Sequence, residues 1–441
     1  MNKKKILSVC FTAVILLLCM TFSLGILVKG PSGPGANERQ TPTPKLRNAD
    51  GKVRADYLTQ VSDWFSDHFC FRQELITLNN RLNAGVFGIS EAPDVILGRN
   101  GWLYYGATAE DYTGARTMSG RELYCAAENL SLMARYCQNE DRNFLFMIAP
   151  NKNSLYNSQM PDLGAEAQER DAQRLMAILE DRGVPYLDLY PVFRQQEKPL
   201  YYAHDSHWTE QGAAVAADLI LERFGTEGHF GEGPFTQEKR HDGDLYAMLY
   251  PAGTDPETEQ AYSMPFTYTF VSKATKADSI LLETASDRPG SLLVYRDSFG
   301  NNLYPYLAES FGSAAFSRSA DYDLTRPGEN VLVELVERNL SRLQQNLPVM
   351  PAPEESMELP EEILGEVSCS MQEDRNLLRT EGELPEVPDE DSPVWLICSG
   401  RIYRAFCLEE NRYGAYLPET DLPDGLLFRK NGSFRRYVIK N

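Results

Sequence analysis

SLLVYRDSFGNN, residues 291–302, is the stretch that decides how this 441-residue chain is read. Its apolar start fits a strand buried on both faces of a sheet. The strand passes through Arg296 and Asp297, presents Ser298, and gives way near Asn301 to a helical pattern. Serine before a helix is ordinarily a cap. At the carboxyl end of a parallel strand it is also where α/β sheets hold their ligands.

The flanking segments alternate in the same way. NFLFMIAP (143–150), VPYLDLY (184–190), AAFSR (314–318) and ENVLVELV (329–336) read as strands. Helices are expected at 119–139, at 165–182 before Gly183, at 209–224 before Gly225, and over VERNLSRLQQNL. This pattern predicts an α/β domain over 55–347, a doubly wound parallel sheet with helices on both faces. It opens with a helical segment at 55–83 and a hairpin turning at Asn100-Gly101, and a Gly-, Asp- and Thr-rich insertion lies at about 226–289.

The ends differ from the middle. Lys3, Lys4 and Lys5 precede an uncharged run of 23 residues, Ile6 to Val28. That is longer than a cleavable signal core and enough to cross a bilayer. The expectation is a signal anchor at 1–28 in the cell membrane, with the lysines inside and the rest extracellular. A Gly- and Pro-rich linker follows at 29–54. Residues 351–391 hold fourteen acids against two bases, so 348–391 reads as an acidic, partly disordered linker. Strand-like pieces at 392–441 predict a small β module. Arg401, Arg404, Arg435 and Arg436 on it could meet an anionic polymer or simply be solvated. The net charge of -20 argues against a nucleic-acid partner. The cysteines form no metal pattern, and neither metal nor cofactor is expected. Cys398 and Cys407 could bridge neighbouring strands, or the thiols could be free and buried.

HDSHW (204–208) supplies the chemistry that Ser298 needs. Asp205 and His207 are two residues apart, so in an extended segment they emerge on one side. The carboxylate can orient the imidazole, and the imidazole can take the serine proton. His204 reads as a flanking residue and Trp208 as a packing anchor. The N–H groups of Ser298 and Gly300 could receive an oxyanion at the helix start.

DSHW with RDSF in that order, together with SDWFSDHFCFRQELI, GRNGWLYYG and APNKNSLYNSQMP, resembles the DHHW and alginate O-acetyltransferase-like (AlgX/AlgJ-like) branch of the SGNH-hydrolase superfamily. Ordinary members put the serine block first; this branch reverses the order, as here. The resemblance implies Ser298 as nucleophile, His207 as base and Asp205 as its orienter, transferring acetyl groups to a cell-envelope or secreted polysaccharide. It also implies a multipass membrane O-acyltransferase as acetyl supplier. An acetylesterase, or a non-catalytic envelope scaffold or glycan-binding protein, is the alternative. Arg296 stands where the family has glycine, and could place a cation near the site. The usual oxyanion blocks are not recognisable; Asn153 could donate instead, and Lys152 or Tyr156 could touch substrate.

Overall fold

The computed structural model describes residues 3–35, 38–237 and 241–440, without the side chains of residues 3, 4, 18, 19, 22–24 and 237. Seven strands form the central sheet: β1 (Asn143–Ala149), β2 (Tyr186–Asp188), β3 (Thr269–Phe270), β4 (Leu281–Ala285), β5 (Ser291–Tyr295), β6 (Ser313–Ser317) and β7 (Asn330–Val336). Their order is β2-β1-β7-β5-β6-β4-β3. The first five are mutually parallel, whereas β4 and β3 pair antiparallel. The sheet is therefore mixed rather than wholly parallel, because the 226–289 segment contributes its far edge.

Side-chain alternation splits each inner strand between two cores. Phe144, Phe146 and Ile148 join the core under helices Gly120–Asn139 and Asp171–Asp181. Leu145, Met147 and Ala149 join the core under Glu210–Arg223 and Gly300–Ser310. Counted from β5, the parallel strands lie in the order 2-1-3-4-5 across the sheet, that of flavodoxin-like folds. The order reverses between β5 and β7, which opens a crevice at their carboxyl ends. Ser298 follows β5, and Glu337–Asn339 follow β7.

Several local expectations change. The 55–83 segment is two helices, Tyr57–His68 and Arg72–Leu82, separated at Phe71, whose φ of 65° is left-handed. The segment after β7 is a 3-10 helix, Glu337–Gln344. The acidic stretch is no simple linker. Cys369–Asp374 and Leu377–Glu383 are paired strands of a nine-stranded sheet that runs to Ile439. Its acids occupy the solvent side while Leu378 and Thr380 point inward, an alternation masked by the charge density.

That sheet docks on helix Gly120–Asn139. Fully buried Asn129 donates to the carbonyls of Leu343 (2.9 Å) and Cys407 (2.8 Å) and accepts from the Cys407 N–H (3.1 Å). Arg404 pairs with Glu128 at 2.6 Å, Arg401 with Asp421, Arg435 with Glu386 at 3.9 Å, and Arg436 donates to the Pro360 carbonyl. Arg404 is thus largely buried in an internal ion pair, whereas the Arg401 and Arg435 side chains stay partly exposed. Cys398 and Cys407 are both free: Cys398 lies opposite Arg401 in its hairpin, and Cys407 opposite Tyr413 on another strand.

A helix, Lys3–Lys29, covers the expected anchor. Among the described residues no helix is long and apolar enough to cross a membrane. The side chains of Lys3, Lys4, Leu18 and Cys19, on which that expectation partly rests, lie outside the described residues.

Candidate active site

The segment Tyr201–Trp208 is a bent loop, not the extended run expected from sequence, and an antiparallel bridge between those two residues closes it. Trp208 is fully buried, its Nε1 donates to the Phe299 carbonyl at 3.1 Å, and its ring packs edge-on against Phe299. The indole thus fixes the Asp205–His207 loop to the turn that bears the serine. His207 Nε2 lies 2.9 Å from Ser298 Oγ, and His207 Nδ1 lies 2.7 Å from Asp205 Oδ1. That oxygen also accepts from the His207 backbone N–H at 2.8 Å. The three side chains form one hydrogen-bonded chain.

Its electrostatics suit proton transfer. Burial drives the His207 imidazole down, but the hydrogen bond and charge of Asp205, with Asp244, more than offset this and leave it above its ordinary value. Burial drives the Asp205 carboxyl up, yet hydrogen bonds from His207 and His241 hold it well below the usual carboxylate range. Asp205 is 6% exposed, so water screens these interactions little. Asp244 stands 3.6 Å from His207 Nδ1 and accepts from the N–H and Oγ of Ser206.

His207 and Ser298 open into a cleft of about 530 Å³, lined also by Tyr105, Asp244, Arg338 and Asn339. A larger hollow of about 780 Å³ beside helix Arg72–Leu82 holds none of this chemistry. Asn339 was not evident from sequence, since its place depends on the β5/β7 crevice. Its Nδ2 donates to Asp297 Oδ2 at 2.7 Å, which ties it to the residue before the nucleophile. Arg338 stacks over Tyr105 and Phe299, each 5.3 Å away. Asp244 and His241 come from the insertion, which sequence reading left without a role.

The other predicted site residues sit behind the cleft. Lys152 is buried, donates at 2.8 Å to the carbonyls of both Ala203 and Asp205, and is pushed down by burial to about 7. It supports the loop instead of touching substrate. Asn153 is 1% exposed and gives its amide hydrogens to Thr108, so it is not an oxyanion donor here. The Tyr156 hydroxyl accepts from the Leu200 N–H, and its ring packs on Trp102 and Tyr201. Arg296 is also turned inward, donating to the Ala277 carbonyl and Asn301 Oδ1, and burial lowers it to about 10. It supplies no cation to the cleft.

Gly300 begins helix Gly300–Ser310, where N–H groups lack intrahelical partners. A Cβ there would lie 2.5 Å from Arg296 Cδ, so the inward arginine leaves room only for glycine. His204 pairs with Asp255 at 2.6 Å, apart from the serine.

Residues 95–312, which include Asp205, His207 and Ser298, match the family model of the SGNH hydrolase-like domain of acetyltransferase AlgX. Among solved structures, a DHHW family protein from Eubacterium siraeum is similar at 16% identity and TM-score 0.44, covering 58% of this chain and all of its own. Bacillus cereus PatB1 with a sulfonyl adduct gives 15% identity and TM-score 0.43, covering 55% of this chain and 97% of its own. The O-acetyltransferase domain of Pseudomonas putida AlgJ gives 18% and 0.39, covering 56% of this chain and 92% of its own. No curated protein matches. Over residues 95–312, the chain is thus similar to the SGNH hydrolase-like domain of the AlgX type.

Proposed function

We infer that this protein is an extracytoplasmic O-acetyltransferase that modifies a cell-envelope or secreted polysaccharide through an acetyl-serine intermediate. The observation that carries the reading is the 2.9 Å approach of His207 Nε2 to Ser298 Oγ, with Asp205 on the opposite ring nitrogen. Ser298 Oγ attacks the acetyl carbonyl carbon as His207 takes its proton. The tetrahedral oxyanion faces the N–H groups at the start of helix Gly300–Ser310 and the free hydrogen of the Asn339 amide. His207 then gives its proton to the departing donor oxygen as the C–O bond breaks. In the second half a sugar hydroxyl attacks the acetyl ester, loses its proton to His207, and Ser298 leaves with that proton restored.

The uncharged run Ile6–Val28 behind three lysines is the sequence feature that supports an anchor at the cell membrane with the catalytic domain outside. Acetyl groups reach it from a multipass membrane O-acyltransferase, since acetyl-CoA is a cytoplasmic donor. Mixing the purified protein with an acetyl donor and glycan oligomers, and weighing the products by mass spectrometry, tests the reading. Oligomers heavier by acetyl groups, lost in Ser298→Ala, support the transferase. Free acetate alone makes the protein an esterase, and no turnover by the folded wild type makes it a non-catalytic glycan-binding protein or scaffold.

A further inference from the structure

We propose that His241 is a positioning residue of this site, a second imidazole on the Asp205 carboxylate that couples its own protonation to the basicity of His207. The inference rests on the Ser298–His207–Asp205 reading and extends it. Asp205 divides its two oxygens between two partners. Oδ1 serves His207, and Oδ2 accepts from His241 Nε2 at 3.0 Å and from the Asp244 N–H at 3.1 Å.

The His241 ring is clamped as well as bonded. It lies flat on Tyr202, with centroids 3.7 Å apart and planes 9° from parallel. Its backbone N–H donates to the Glu257 carbonyl at 3.0 Å. A surface histidine with no task would gain little from a stack, a backbone tether and a buried carboxylate at once.

The consequence is chemical. Neutral His241 with its proton on Nε2 orients Asp205 and leaves the full carboxylate charge to stabilise the imidazolium formed on His207 during attack. Protonated His241 neutralises part of that charge and repels the second cation. Among the described residues, the charged groups facing His241 are Asp205, Glu257 and Glu259; those facing His207 are Asp205, Asp244 and Arg338. The carboxylates favour the cation on His241, so it, like His207, titrates above its ordinary value despite burial. Two interacting imidazoles lose their protons in two shared steps.

The test uses the full-length protein in detergent, with wild type, His241→Gln and His241→Ala compared. Glutamine keeps an N–H donor but cannot carry the charge. Hydrolysis of an aryl acetate against pH should show a two-proton acid limb in wild type and a one-proton limb in His241→Gln, with similar plateaus. His241→Ala should lower the plateau about ten- to hundredfold, the loss seen when the partner that orients a metal-bound histidine is removed. Independently of turnover, histidine-labelled NMR should show the His207 midpoint moving up in His241→Gln as the competing cation disappears. An unchanged His207 midpoint in the folded glutamine variant overturns the proposal. If the midpoint moves but no variant, wild type included, hydrolyses the aryl acetate, the coupling stands and the catalytic reading fails.

Discussion

The indole of Trp208 donates to the carbonyl of Phe299, so the neighbours of the base and of the nucleophile are bonded to each other across 91 positions of sequence. One side chain therefore sets the distance over which the proton must move. Trp208→Phe keeps most of the packing and removes the hydrogen bond, leaving a buried carbonyl unpaired at a cost of about 1–3 kcal/mol. A lower Tm together with a reduced kcat for aryl acetate hydrolysis is expected. Loss of stability with kcat intact would show that the bond does not position the pair.

Asp205→Asn preserves the volume of the side chain but withdraws the charge that holds the imidazole. The comparable change in a serine protease lowers kcat about 10⁴-fold. A loss of that order, with circular dichroism unchanged, is expected here. Ser298→Ala should abolish the acetyl-enzyme seen by intact mass spectrometry.

Only the neutral imidazole of His207 can accept the serine proton. Because Asp205 and Asp244 raise its titration above the ordinary value of about 6.5, activity should fall as pH falls through that higher midpoint. A kcat/KM profile with a midpoint at or below that ordinary value would contradict the electrostatics described.

Lys152 offers a test through stability. Its folded-state value of about 7 lies below the ordinary 10.5, so between these limits the unfolded chain binds more protons. Stability contributed through Lys152 should rise with pH across that window and stay flat below it. Lys152→Met removes the slope and leaves the carbonyls of Ala203 and Asp205 without their shared donor. Urea melts at pH 7 and pH 9 on both proteins measure the difference; equal slopes would refute the assignment.

Asn339→Ala withdraws the side-chain donor beside Ser298. If that amide receives the oxyanion, kcat should fall about 10²- to 10³-fold with little change in KM. A rise in KM alone would make it a substrate contact.

Much of this site was legible in sequence because it depends on local patterns. The apolar runs at 143–149 and 291–295 mark buried strands; Asp205 and His207 do meet, though through a turn in which the Asp205 carboxylate accepts from the His207 backbone N–H and not through the alternation of an extended segment. Residues whose roles depend on long-range placement were not legible. Asn339 and Arg338 reach the cleft only because β7 lies beside β5, an adjacency no local period encodes. His241 and Asp244 lie in a segment whose weak strands gave no sign that it folds back over Asp205. Lys152, Asn153 and Arg296 misled for the opposite reason. Polar side chains beside strand ends read as solvent-facing, whereas each is buried against backbone carbonyls or neighbouring side chains that satisfy it.

The 2-1-3-4-5 order counted from β5 has a consequence for ancestry. A protein whose chain starts at β5 and ends after β2 would thread the same five positions with the serine leading and the Asp/His pair trailing. The reversed motif order thus leaves the spatial arrangement of the five strands and the site unchanged. Searches that demand a fixed succession of blocks will pass over such cousins, while comparison by neighbourhood in space will gather them.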